Sequence, residues 1–102
     1  MQHVRIALYT ITPGSADEVI RRGESGMVPI FRAQPGFVAY GLVKTGEETL
    51  VSISVWESEQ QAIDASQIAG AWVKENVGNI LVSVENHVGD LAYFSSMAAI
   101  GG

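Results

Sequence analysis

Read at a period of two, Thr49-Leu-Val-Ser-Ile-Ser-Val-Trp56 places Val51, Ile53 and Val55 on one side and Ser52, Ser54 and Trp56 on the other. This predicts a strand with one wholly apolar face and one face carrying hydroxyls and an indole, and chemistry is expected on the second. His3 to Ile11 alternates in the same way, Val4, Ile6 and Leu8 against His3, Arg5, Ala7, Tyr9 and Ile11, and predicts the first strand. Phe37 to Lys44 follows a turn at Gln34-Pro-Gly36 and predicts the second, joined by a hairpin at Thr45-Gly-Glu-Glu48 to the Thr49 strand. Ile80 to Val88 predicts the fourth, with Ile80, Val82 and Val84 on one face and Leu81, Ser83, Glu85 and His87 on the other.

Two segments break this period. Ser15-Ala-Asp-Glu18 and Ser58-Glu-Gln-Gln61 both have the capping-box form, in which a hydroxyl and a side chain three residues on satisfy orphan amides at a helix start. The first helix turns Val19, Gly23, Met27, Ile30 and Phe31 inward. Gly23, Gly26 and Pro29 weaken it, and a kink or break is expected near Met27. The second carries Ala62, Ala65, Ala69, Trp72 and Asn76 along one stripe and closes at Gly78, its small residues suiting close approach to a sheet.

The resulting order, βαββαβ, predicts an α+β, ferredoxin-like domain over residues 1–88, a four-stranded antiparallel sheet with two helices on one face. Residues 89–102 form an apolar tail without a clear period, and Leu91, Tyr93, Phe94 and Met97 suit a segment that covers a pocket mouth or crosses to a partner. One layer of helices covers one sheet face, yet neither face of the strands is polar, Arg5 and Glu85 being the charges well inside a strand. Both faces are therefore expected to be buried, the second in a homodimer through the sheet face.

At 102 residues there is room for one core. Hydrophobic residues make up 47% of the chain and charged ones 17%, which excludes a disordered chain. The net charge of -5, with six scattered Lys and Arg, argues against nucleic acid. The N-terminal Met1-Gln-His-Val-Arg5 lacks a signal-peptide pattern, and no apolar run approaches the roughly 20 residues that span a bilayer, so a cytoplasmic protein without membrane contact is expected. With no cysteine and two distant histidines, no metal ligand set is visible. Gly23-x-x-Gly26 lies inside a predicted helix and does not qualify as a phosphate loop, and no nucleophile elbow occurs. No cofactor is expected.

Three stretches in this order and spacing carry a family resemblance: Pro13-Gly14 after the first strand, Pro29-Ile-Phe-Arg-Ala-Gln-Pro-Gly-Phe-Val-Ala-Tyr40, and Ser54-Val-Trp-Glu-Ser-Glu59. Over roughly residues 3 to 88 the chain resembles the antibiotic biosynthesis monooxygenase-like domains of the dimeric α/β-barrel superfamily. The resemblance implies two domains closing an eight-stranded barrel, each keeping a pocket between its own sheet and helices. Members include quinol and anthrone oxygenases that use molecular oxygen without metal or flavin, and haem-degrading enzymes. Trp56 matches the strand-ending tryptophan of that family. The asparagine that anthrone oxygenases keep four residues earlier is Ser52 here. Where the haem-degrading branch has an asparagine on the first strand and a tryptophan and histidine on the second helix, this chain has Ala7 and, near the others, Ala65 and Glu75. Ala65 and Gly70 stand near the helix histidines of the quinol branch.

A cofactor-free monooxygenase acting on a phenolic or quinol-like molecule is the leading expectation, with a non-catalytic binding or interaction module as the alternative and haem binding behind both. His87 is the candidate base, since an imidazole titrating near neutrality can take a phenolic proton. Its other reading is a rim histidine bonded locally. Trp56 and Trp72 can wall a flat ligand, or serve only as core. Tyr40, Ser52 and Ser54 can orient a substrate hydroxyl, or satisfy themselves locally. Arg5 and Glu85 suit a structural ion pair if the terminal strands are neighbours. His3 is expected in solvent.

Overall fold

The alternations become a single antiparallel sheet in the computed structural model, which describes residues 1–95. Strand β1 spans His3–Ile11, β2 Phe37–Lys44, β3 Thr49–Trp56 and β4 Leu81–Asp90, in the spatial order β2-β3-β1-β4. Helix α3 spans Glu59–Val77. The place of the predicted first helix is taken by α1, Ala16–Arg22, a π-helical turn over Gly23–Met27, and α2, Val28–Arg32. The fold is ferredoxin-like α+β, with its helices on one face of the sheet.

The expected break near Met27 takes the form of that π turn. Pro29 stands in the first turn of α2, the part of a helix that best tolerates its missing N–H. Gly26 is required by packing: a Cβ there would lie 2.8 Å from Cζ2 of Trp72. The loop glycines Gly14 and Gly36 have φ of 80° and 78°, a conformation that L side chains rarely adopt.

The two capping boxes diverge. Ser58 accepts from the Gln61 amide at 3.3 Å and caps α3, but the Gln61 side chain lies across Gly36, its Oε1 buried without a partner among the described residues. The Ser15 hydroxyl donates to the Thr12 carbonyl and caps nothing, and Glu18 is taken by Arg21 and Arg22. Nearby guanidiniums compete successfully for the carboxylate that the box would need.

Small residues bring α3 onto the sheet as expected. Ala62, Ala65 and Ala69 are buried with Met27, Phe31 and Trp56 in one cluster, and Ile11, Ala16 and Leu50 form a second. Asn76, expected on the inward stripe, is exposed, and Val77 takes the buried place.

The helices cover the face bearing Arg5, Ala7, Tyr9, Ser52, Ser54 and Trp56. The more apolar face lies open: Ile6, Leu8, Val43 and Ile53 are 37%, 40%, 47% and 39% exposed. On β4 the period of two fails at one point. Thr10 pairs with Ser83 but Ile11 with Leu81, so Val82 bulges out and Leu81 joins the helix side, away from Ser83, Glu85 and His87. The strand also runs on past Val88, with Gly89 opposite Val4 and Asp90 opposite His3. Beyond it Tyr93 and Phe94 are exposed, and Met97 lies outside the described residues. Among the described residues no helix is long and apolar enough to cross a membrane.

Candidate functional site

Between the sheet and the layer formed by α3 and the π turn lies a pocket of about 40 Å³, partly open to solvent. Its walls are apolar and aromatic, including Met27, Phe31, Leu42 and Trp72, and the polar-tipped residues Arg5, Tyr9 and Tyr40 also stand in its lining. Arg5 and Tyr9 reach the pocket because odd positions of β1 face the helices. Tyr40 sits opposite Ser54 in the β2–β3 pairing and so shares that side. A groove of about 240 Å³ between α3 and β4 shares Arg5 and Tyr9 with the pocket wall.

Arg5 is 2% exposed. Its Nη2 donates to Asn86 Oδ1 at 2.8 Å and to the Tyr9 hydroxyl at 3.4 Å. Burial, then the neighbouring Tyr9, pushes Tyr40 up to about 12 against the opposing influence of Arg5. Tyr40 is thus a neutral hydrogen-bond donor across the physiological range, not a base.

Of the six side chains singled out from sequence, Tyr40 and Trp72 line this pocket. Trp56 is fully buried in the core, edge-on to Phe31 and Phe37 at centroid distances of 5.3 and 5.5 Å. Its Nε1–H donates to Ser54 Oγ at 2.9 Å, so the Ser54 hydroxyl is engaged inside the core. Ser52 is buried with no partner for its hydroxyl among the described residues. His87 stands opposite Ile6 on the open face, its side chain 59% exposed and 3.3 Å from Glu85. A base on that face cannot reach a ligand held behind the same sheet.

Two further expectations are corrected. Arg5 and Glu85 lie on neighbouring strands but opposite faces, because Arg5 pairs with Val88 and Glu85 with Leu8. Asn86, not Glu85, meets the guanidinium. His3 is not solvated: with a side chain 14% exposed, it contacts Asp90 at 2.6 Å and Glu59 at 3.8 Å. Arg5 and Tyr9 are site residues that the sequence reading does not single out; the alternation groups them on one face of the first strand, and the β1–β3 register places that face on the side of Trp56. A cation in mid-strand beside Ala7 was the available signal. Among the described residues no cluster of three or more His, Asp or Glu suits a metal ion.

A family model described as antibiotic biosynthesis monooxygenase matches residues 2–74. No curated protein sequence matches the chain. Several solved structures share its fold. The cofactor-independent oxygenase SnoaB from Streptomyces nogalater is 19% identical with a TM-score of 0.61, over 99% of this chain and 98% of that one. A protein of unknown function from Nitrosomonas europaea is 18% identical with a TM-score of 0.76, over 96% of each chain. The monooxygenase from the gene ActVA-Orf6 of Streptomyces coelicolor, solved with nanaomycin D, is 16% identical with a TM-score of 0.71, over 92% of each.

Proposed function

The chain belongs to the antibiotic biosynthesis monooxygenase family, and on that premise we propose that it admits a small planar phenolic or quinol-like molecule between sheet and helices and oxygenates it with molecular oxygen. The make-up of the pocket carries the reading: apolar and aromatic walls give a flat ring its affinity, and the tips of Arg5, Tyr9 and Tyr40 orient its oxygens. The chemistry balances without an added reductant. An activated ring methylene, as in an anthrone, becomes a carbonyl by taking one oxygen atom, and the second leaves as water with the two hydrogens of that carbon. The ionised substrate supplies the electrons, Arg5 favours the ionised form, and Tyr40 donates to the developing oxyanion.

A second reading, a binding module without turnover, is favoured by a specific observation. Among the described residues the pocket lining contains no imidazole, carboxylate or ammonium group, so no described side chain there serves as a general base at neutral pH. In the first reading the proton leaves through water at the pocket mouth.

In either reading the exposed apolar sheet face meets a second copy of the chain. Ile6, Leu8, Val43 and Ile53 form a patch of the kind that monomers rarely leave in water.

Incubating the pure chain with a panel of quinols and anthrones, while following oxygen uptake and ligand binding together, separates the readings. Uptake matched one to one by product supports the oxygenase. Binding without uptake supports the module, and absence of both refutes the pocket as a functional site.

A further inference from the structure

Arg5 carries a guanidinium cation, and it is 2% exposed. Burying a cation is tolerated when a carboxylate pairs with it and its donors are satisfied. Neither condition holds here. Among the described residues no ion pair includes Arg5, and both acceptors it reaches, Asn86 Oδ1 and the Tyr9 hydroxyl, are neutral. Both of those bonds are made by Nη2, while Nε is buried with no partner among the described residues. Of the two acids on β4 nearest to it, Glu85 projects from the opposite face, and Asp90, on the side of Arg5, is held by His3 at 2.6 Å.

The surroundings of this cation are selective in sign. The chain carries a net charge of -5, yet among the described residues neither the pocket nor the groove has an Asp or Glu in its wall. The groove instead carries Lys74 along α3. Arg5 lines both spaces, so it stands where the groove meets the pocket.

We propose that the pocket is built for a planar aromatic oxyanion, a carboxylate or an ionised hydroxyquinone, and that the guanidinium of Arg5 is its receptor. The inference rests on the pocket reading above and names its ligand class. An oxyanion entering from the groove meets Lys74 at the rim and the guanidinium inside, and its rings then lie against Trp72. The bound anion supplies the missing countercharge in a dry site, where a charge-assisted hydrogen bond is stronger than a neutral one.

Matched probes test this by calorimetric titration of the full chain: 3-hydroxy-2-naphthoate against its methyl ester, and 2-hydroxy-1,4-naphthoquinone, ionised near neutrality, against its methyl ether. At least one anion is expected to bind about tenfold or more tightly than its neutral partner, and the arm that shows the preference identifies the group recognised. In Arg5→Met, which keeps much of the side-chain volume, the preference should vanish, the two members of each pair binding with equal affinity. Equal affinities within both pairs in the unaltered chain overturn the inference and leave the pocket reading standing. A preference that persists in Arg5→Met overturns the assignment to Arg5. Absence of binding by all four probes removes the pocket reading and this inference with it. The matched pairs decide the question in the unaltered chain even if the variant fails to fold.

Discussion

Ser52 and Ser54 stand two residues apart on one face of β3, both buried, yet replacing each by alanine is expected to shift stability in opposite directions. Ser54 Oγ accepts the indole N–H of Trp56 at 2.9 Å, and Trp56 is fully buried. Ser54→Ala leaves that donor unpaired in the core, a loss of about 1–3 kcal/mol. Ser52 Oγ has no partner among the described residues, so its desolvation is uncompensated. Ser52→Ala removes that penalty and loses the few contacts of one oxygen atom, for a net gain of about 1 kcal/mol. Unfolding entropy near 2.1 cal/mol/K per residue makes 1 kcal/mol equivalent to about 5 °C in a chain of this length. Thermal melts followed by circular dichroism at one fixed protein concentration, so that association does not enter, should place Ser52→Ala above the unaltered chain and Ser54→Ala below it. Because most substitutions destabilise, a rise is an informative outcome. A fall of about 3 °C or more in Ser52→Ala, or an unchanged melt in Ser54→Ala, refutes the reasoning. A fall in Ser52→Ala combined with lost ligand binding would return Ser52 to the substrate-orienting role expected from sequence.

Ile53→Lys places a charge at the centre of the open face, and an apolar interface there should weaken by several kcal/mol. Light scattering is expected to show a monomer, and an undisturbed dimer mass would show that this face is not the contact. Gly26→Ala forces Trp72 to move, because the new Cβ falls 2.8 Å from its Cζ2. A loss of about 1–3 kcal/mol in denaturant melts and a shifted indole emission are expected, and native emission would contradict the packing described. Hydrogen bonds from Arg21, then Arg22, hold Glu18 down to about 2 from 4.5, so its contribution is complete above pH 4.5 and fades as pH falls toward 2. Glu18→Gln should flatten the pH dependence of the melting temperature in that window, and an unchanged slope would be evidence against it. His87→Ala should leave ligand binding and any oxygen uptake unaltered, and a marked loss of either would require a route from the open face to the pocket.

Much of the architecture was legible because each strand carries its own period. The alternation in Val4 to Leu8 and in Val51 to Val55, the hairpin turn between them and the Ser58 cap are local signals that tertiary context did not override. Ser15 illustrates the limit of such signals, since a capping box is contested by any cation within reach, and Arg21 and Arg22 lie within reach of Glu18. The candidate site was legible only in part. Tyr40 and Trp72 were found, whereas Arg5 was paired with Glu85 in expectation because the faces of β1 and β4 were aligned without their register. The bulge at Val82 shows how one extra residue moves Leu81 to the side opposite its predicted neighbours.

By itself the sequence determined the order of elements and the sorting of each strand into two faces, both consequences of short-range periodicity. Which face the helices would cover was not contained in that sorting. It follows from the handedness of the strand–helix–strand crossovers, a property of the chain's chirality and twist that any alternating pattern shares. That choice set the more apolar face outward and enclosed the face with Arg5, Tyr9, Tyr40, Ser52, Ser54 and Trp56. Cross-strand register then brought Asn86 to Arg5 and carried His87 away. A pocket with a buried cation is therefore a product of the tertiary structure, assembled from positions that in the sequence read as ordinary members of alternating strands.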